Sequence, residues 1–92
     1  DVVILVSPKD GGIKTKTPTF YWLAAAGAKK YYFEYGTTPG FTTPVYSSAA
    51  LTTLYFKPPA MGEGTYYWRI RAKDKAGNES MSLERRIIID LP

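Results

Sequence analysis

Polarity alternates without a break along the stretch that begins at Gly64. Tyr66, Trp68, Ile70 and Ala72 share one parity, and Tyr67, Arg69, Arg71 and Lys73 take the other. Successive strand residues point to opposite faces, so this is a strand with one face in a core and one in water. Asp74-Lys75-Ala76-Gly77-Asn78 follows, a cluster of turn formers able to send the chain back as a further strand.

The rest of the chain repeats the theme in shorter pieces. Val2 to Val6 is an apolar first strand stopped by Ser7-Pro8, and Lys9-Asp10-Gly11-Gly12 is a turn. Lys14 to Thr17 leads into a second strand at Thr19 to Leu23, where Phe20 and Trp22 share a face opposite Tyr21. Ala25 to Ala28 turns the chain into a third strand, Lys30 to Tyr35, with Tyr31, Phe33 and Tyr35 inward and Tyr32 and Glu34 outward. A loop at Gly36 to Gly40 precedes a weak strand at Pro44 to Ser48 and another at Leu51 to Phe56, ended by Pro58-Pro59. The alternating strand is the sixth, and Leu83 to Ile89 closes the fold. Leu23 to Ala28 is Ala-rich but too short to hold a helix. Short strands separated by regular turn signals predict one all-β domain over residues 1–92, a sandwich or a barrel.

Composition narrows the chemistry more than the fold. The chain has no cysteine and no histidine, which removes disulfides, thiolate metal sites, the Ser/His and Cys/His nucleophile pairs and the commonest general base. Glu34, Glu63, Asp74, Glu79, Glu84 and Asp90 fall on different strands and turns, whereas glycoside acid/base chemistry needs two carboxyls facing one cleft. Neither catalysis nor a cofactor is expected. Twelve Lys+Arg against eight Asp+Glu leave a net charge of +4, interspersed rather than concentrated, which argues against a nucleic-acid partner. No apolar run approaches the ~20 residues of a membrane helix. A chain that opens on Asp1 without a basic leader and stops after Leu91-Pro92 is expected to be a module of a longer protein.

Several segments, taken in order, resemble the fibronectin type III family in the form found in large bacterial and archaeal surface and secreted proteins. Pro18, Phe20 and Trp22 resemble the second strand with its core tryptophan, and Ala28, Tyr31, Phe33 and Tyr35 resemble the third. Phe41 resembles the aromatic that follows the next loop. Gly64 to Asp74 resembles the sixth strand, with Tyr66 at the corner tyrosine, and Gly77 to Ser80 resembles the turn and start of the last. Met81 departs from the aromatic common there, which leaves open whether Arg85 or Arg86 faces water. The resemblance implies a seven-stranded antiparallel β-sandwich of immunoglobulin-like type. It also implies an extracellular or cell-surface location and a monomeric spacer that positions neighbouring domains.

Each residue with chemical potential has a structural competitor. Phe20, Trp22, Phe33, Tyr35, Trp68 and Ile70 could form an aromatic ligand site, but their parity fits a core between sheets. Asp74, Asn78 and Glu79 lack the alternating oxygen ligands of a calcium loop and fit the needs of a turn. Tyr66, in the corner position, is expected to bond back to upstream backbone. Tyr21 is a lone exposed aromatic.

The best candidate for a working surface is Tyr32 and Glu34 on the third strand with Tyr67, Arg69 and Arg71 on the sixth, which are neighbours in the type III arrangement. Tyrosine and arginine are enriched at interface hot spots and stack on sugars, so this face is the candidate for a polysaccharide or protein partner. Cross-strand stabilisation by Tyr–Tyr and Glu–Arg pairs is the competing explanation, and the favoured one.

Overall fold

The computed structural model describes residues 3–92. Among them are nine strands and no helix: β1 (Leu5–Ser7), β2 (Gly12–Lys14), β3 (Phe20–Trp22), β4 (Ala28–Gly36), β5 (Tyr46–Ser47), β6 (Tyr55–Phe56), β7 (Gly64–Asp74), β8 (Glu79–Met81) and β9 (Arg85–Ile89). They form two sheets. The smaller is ordered β1-β3-β6 and the larger β2-β9-β7-β4-β5, with β8 also paired to β7. The chain is therefore all-β, with two sheets closed over one core, in keeping with a β-sandwich. The Val2 end of the expected first strand lies outside the described residues.

The core sits where the alternation places it. Trp68, Ile70 and Ala72 of β7, Phe33 and Tyr31 of β4, and Ile87 and Ile89 of β9 are buried, as are Phe20 and Trp22 from the small sheet. Tyr35 and Tyr66 are half-buried against the same cluster. Phe20 joins the sheets: its ring centroid is 4.5 Å from that of Phe33 and 4.7 Å from that of Trp68. Trp22 lies against Tyr31 of β4, at 6.0 Å. Burying rings of this size contributes about 2–3 kcal/mol each.

The expected seven antiparallel strands are corrected in three places. The turn at Lys9–Gly12 is present, with Gly12 N–H donating to the Lys9 carbonyl at 3.0 Å, but it delivers the chain into β2. Having crossed from the small sheet without reversing, β2 runs parallel to β9, with Gly12 opposite Ile87 and Lys14 opposite Ile89. Gly11, at φ 79°, takes a left-handed conformation that a side chain would strain.

Leu51 to Phe56 is not one strand. Leu51 bridges Tyr31 on the large sheet, whereas Tyr55 and Phe56 pair with β3 on the small one, so the run changes sheets midway.

The last strand is also divided. β8 pairs with β7 over Arg71–Lys73 and β9 over Gly64–Trp68, and the break falls at Ser82. Ser82 Oγ accepts the Ile70 N–H at 2.8 Å, so a hydroxyl completes the ladder where the neighbouring strand departs. Ser48 does the same on the opposite side, accepting the Phe33 N–H at 3.0 Å where β5 leaves. Phe33 and Ile70 are themselves cross-strand partners.

That division settles the final register. Arg85 shares the inward parity of Ile87 and Ile89, and its guanidinium donates to the carbonyls of Leu5 at 3.0 Å, Val6 at 3.1 Å and Pro8 at 2.9 Å. Arg86 is exposed. Truncating Arg85 strips three carbonyls of a charged donor at a half-buried site. Arg85→Ala should therefore cost about 1–3 kcal/mol in urea unfolding, against under about 0.5 kcal/mol for Arg86→Ala. Equal losses at both positions would refute this register.

Candidate functional site

The β4–β7 ladder is the longest in the molecule, and its outward side chains meet pair by pair. Glu34 stands opposite Arg69, Tyr32 opposite Arg71, and Gly36 opposite Tyr67. The expected parity of all five residues is correct, and the ladder brings four of them together. Tyr67 stands apart. It lies four residues along the strand from the Tyr32 position, or about 13 Å at strand spacing, so the expected Tyr–Tyr neighbour pair does not form.

Glu34 is outward in parity yet only 5 % exposed. The two arginines lie over it. Arg69 Nε donates to Glu34 Oε1 at 3.1 Å, and Arg71 Nε to Oε2 at 3.3 Å, with Ser47 Oγ at 3.4 Å from the same oxygen. Arg71 then reaches Glu79 with Nη1 at 2.8 Å.

Each guanidinium also sits on a ring: Arg69 is 4.0 Å from the Phe41 centroid and Arg71 4.3 Å from that of Tyr32. Stacking a cation on a ring face uses the negative quadrupole and shields the guanidinium from water. Arg69 Nη1 donates to the Phe41 carbonyl at 2.8 Å. Phe41 is held by Gly36, where a Cβ would come within 2.6 Å of its Cγ. Burial pulls the Arg71 pKa down, but the charges of Glu34 and Glu79 outweigh it and hold the group above its ordinary value.

Most of this face is thus a closed ion-pair and cation–π network, with its donors turned inward. Sequence parity alone could not separate an exposed arginine from one lying along its own sheet. The cross-strand opposition of Glu34 with Arg69 is the signal that could.

The remaining candidates resolve into structural roles. Asp74 Oδ1 accepts the Asn78 N–H at 2.8 Å and Oδ2 the Asn78 side-chain amide at 3.2 Å, closing the turn. The Asn78 backbone bond first, and its amide second, hold the Asp74 carboxyl below the usual range. Tyr66 Oη donates to the Gly62 carbonyl at 2.7 Å, the bond expected of a corner tyrosine, although at an exposed rather than a buried site.

Tyr35 stacks on Tyr46 at 5.5 Å and meets Tyr66 edge-on at 5.2 Å. Burial, then the neighbouring Tyr66 and Tyr46, raise its pKa. Among the described residues no group of three acidic residues gathers where a metal could be held. No helix among them is long and apolar enough to cross a membrane.

Compared with models of known protein families and with curated proteins, the chain matches none.

Two consequences can be measured. Glu34→Gln removes the charge that two half-buried arginines share, and should cost about 1–3 kcal/mol. Glu79→Gln, at a site whose carboxylate side chain is 44 % exposed, should cost under about 0.5 kcal/mol. Equal urea midpoints for the two variants would mean that the network does not act as a buried one.

The second consequence concerns pH. A carboxyl with a depressed folded pKa stabilises above the ordinary aspartate range and loses that contribution as pH falls through the folded value. The gap in unfolding midpoint between wild type and Asp74→Ala should be full at neutral pH and shrink below about pH 4. A gap independent of pH would remove the carboxylate from the turn's stability.

Proposed function

We propose that this chain is a non-catalytic, fibronectin type III-like spacer that positions neighbouring domains in an extracellular multi-domain protein. The observation that carries the reading is the path of the chain. β1 begins beside Leu23, near the Ala28/Asp74 end of the long ladder, and β9 ends opposite Gly64, at the other end. The body between measures 44 × 23 × 21 Å. A module that takes in its chain at one end of the long axis and releases it at the other extends the distance between its neighbours.

The strand order supports the family. β1-β3-β6 in one sheet and β9-β7-β4 in the other correspond to the A-B-E and G-F-C groupings of immunoglobulin-like sandwiches. The Tyr66–Gly62 bond supports it too. Four of the carboxylates are already used as acceptors: Glu34 by arginines, Asp74 by its turn, Asp10 by the Arg86 N–H and Glu84 by the Gly40 N–H. Binding of a polysaccharide or protein by Tyr32, Tyr67, Arg69 and Arg71 has less support, because both arginines are engaged by Glu34.

Two copies joined in sequence by a short linker, measured by small-angle X-ray scattering, test the spacer. The maximum dimension should approach twice the 44 Å long axis of one copy. A pair folded back to little more than one copy's length would defeat the reading.

A further inference from the structure

One end of the long ladder has a charge arrangement that stability does not explain. Lys30 and Lys73 are directly opposite one another across β4 and β7. Like charges in that position destabilise a sheet, and sequences ordinarily avoid them. The register also slips between Ala28 and Lys30, displacing Lys29 from the regular ladder. Bulges of this kind re-aim side chains and are frequent beside functional sites.

The result is concave. Lys29, Lys30, Lys73 and Lys75 line a cleft of about 360 Å³ with Tyr32 and Gly77. None of the four ammoniums forms an ion pair among the described residues. Asp74 also lines the cleft, but both its carboxylate oxygens are taken by Asn78.

We propose that this cleft is a binding site for an acidic polysaccharide, one bearing carboxylate or sulfate groups. Four unpaired ammoniums against one engaged carboxylate provide attraction, and the anion would relieve the repulsion between Lys30 and Lys73. The cleft's size lies at the lower end of small-ligand sites, suited to one or two sugar units. Single-stranded nucleic acid fits less well. It is held by aromatic platforms on which bases stack, and the one ring here, Tyr32, already carries the Arg71 guanidinium. The site goes beyond the spacer reading and stands independently of it.

Polygalacturonate and heparin provide the carboxylate and sulfate probes, with dextran as neutral control and a single-stranded DNA oligonucleotide as a competing polyanion. At low salt, one or both acidic glycans should shift the backbone amide resonances of Lys29, Lys30 and Lys73 to Gly77, and dextran should not. Lys30→Gln/Lys73→Gln should weaken binding at least about tenfold, with an unfolding midpoint at or above wild type because the repulsion is gone. Lys16→Gln/Lys57→Gln carries the same change in net charge away from the cleft and should bind as wild type does. The proposal is overturned by no glycan binding at low salt, by equal weakening in both double variants, or by DNA binding more tightly than either glycan. Scattering from the two-copy protein is unaffected by any of these results, so the spacer and the cleft can fail separately.

Discussion

The two sheets are joined through one ring at the centre of the core. Phe20 projects from the middle strand of the small sheet into the space between Phe33 and Trp68, core residues of the two longest strands. Trp22 against Tyr31 and the Arg85 bonds to the Leu5, Val6 and Pro8 carbonyls add to that hold, since the small sheet has little backbone pairing of its own. Its strands are three, three and two residues long, too short for backbone pairing alone to sustain. Side-chain burial against the large sheet is what makes it a sheet. Without that contact β1 and β6 would lose their template, and the half-buried aromatics that close the sides of the core, Phe56 and Tyr46, would lose theirs.

The core also shows a cost accepted for volume. Both Trp22 and Trp68 bury an indole N–H that has no hydrogen-bond partner among the described residues. Leaving such a donor unpaired costs about 1–3 kcal/mol, yet each ring fills space that smaller side chains would leave as a void. Void formation in a core costs at least as much. On the backbone of the central ladder, Ser48 and Ser82 supply hydroxyl acceptors at the two positions where a flanking strand leaves.

Alternation made the central ladder legible from the sequence. Period-two patterning over Tyr66 to Lys73 and over Tyr31 to Tyr35 fixes which side chains point inward; burial follows it at Trp68, Ile70, Ala72, Tyr31 and Phe33, while Glu34 is buried on the outward face and Tyr66 and Tyr67 are both half-buried. Patterning was silent where the chain changes sheets. Leu51 to Phe56 reads as one apolar run, and no local property distinguishes a run that stays on a sheet from one that crosses between them. β2 was hidden for a related reason: three residues in which only Ile13 is strongly apolar, with that side chain exposed, carry no core signal. In the candidate site, parity gave the outward direction of Glu34 correctly but not its burial, since burial came from two long side chains lying flat. The lysine cleft was equally out of reach, because it is assembled by a register slip.

The outward face of the β4–β7 ladder changes character along its length, and this change separates structure from function. Near Gly36 and Tyr67 the pairing is uncharged. At Glu34 and Arg69 it is complementary and covered, and at Tyr32 and Arg71 a cation rests on a ring. At Lys30 and Lys73 it becomes repulsive and opens to water beside a bulge. The first three pairs stabilise the sheet and leave little for a ligand to gain by displacing them. The fourth does the reverse: its charges are worse off in the free protein than they would be beside an anion. Binding free energy comes from interactions unmet in the unbound state, and on this face they are concentrated at the end where the ladder's own pairing fails. The proposed ligand site and the proposed spacer role can therefore share one pair of strands, because they draw on different rungs of it.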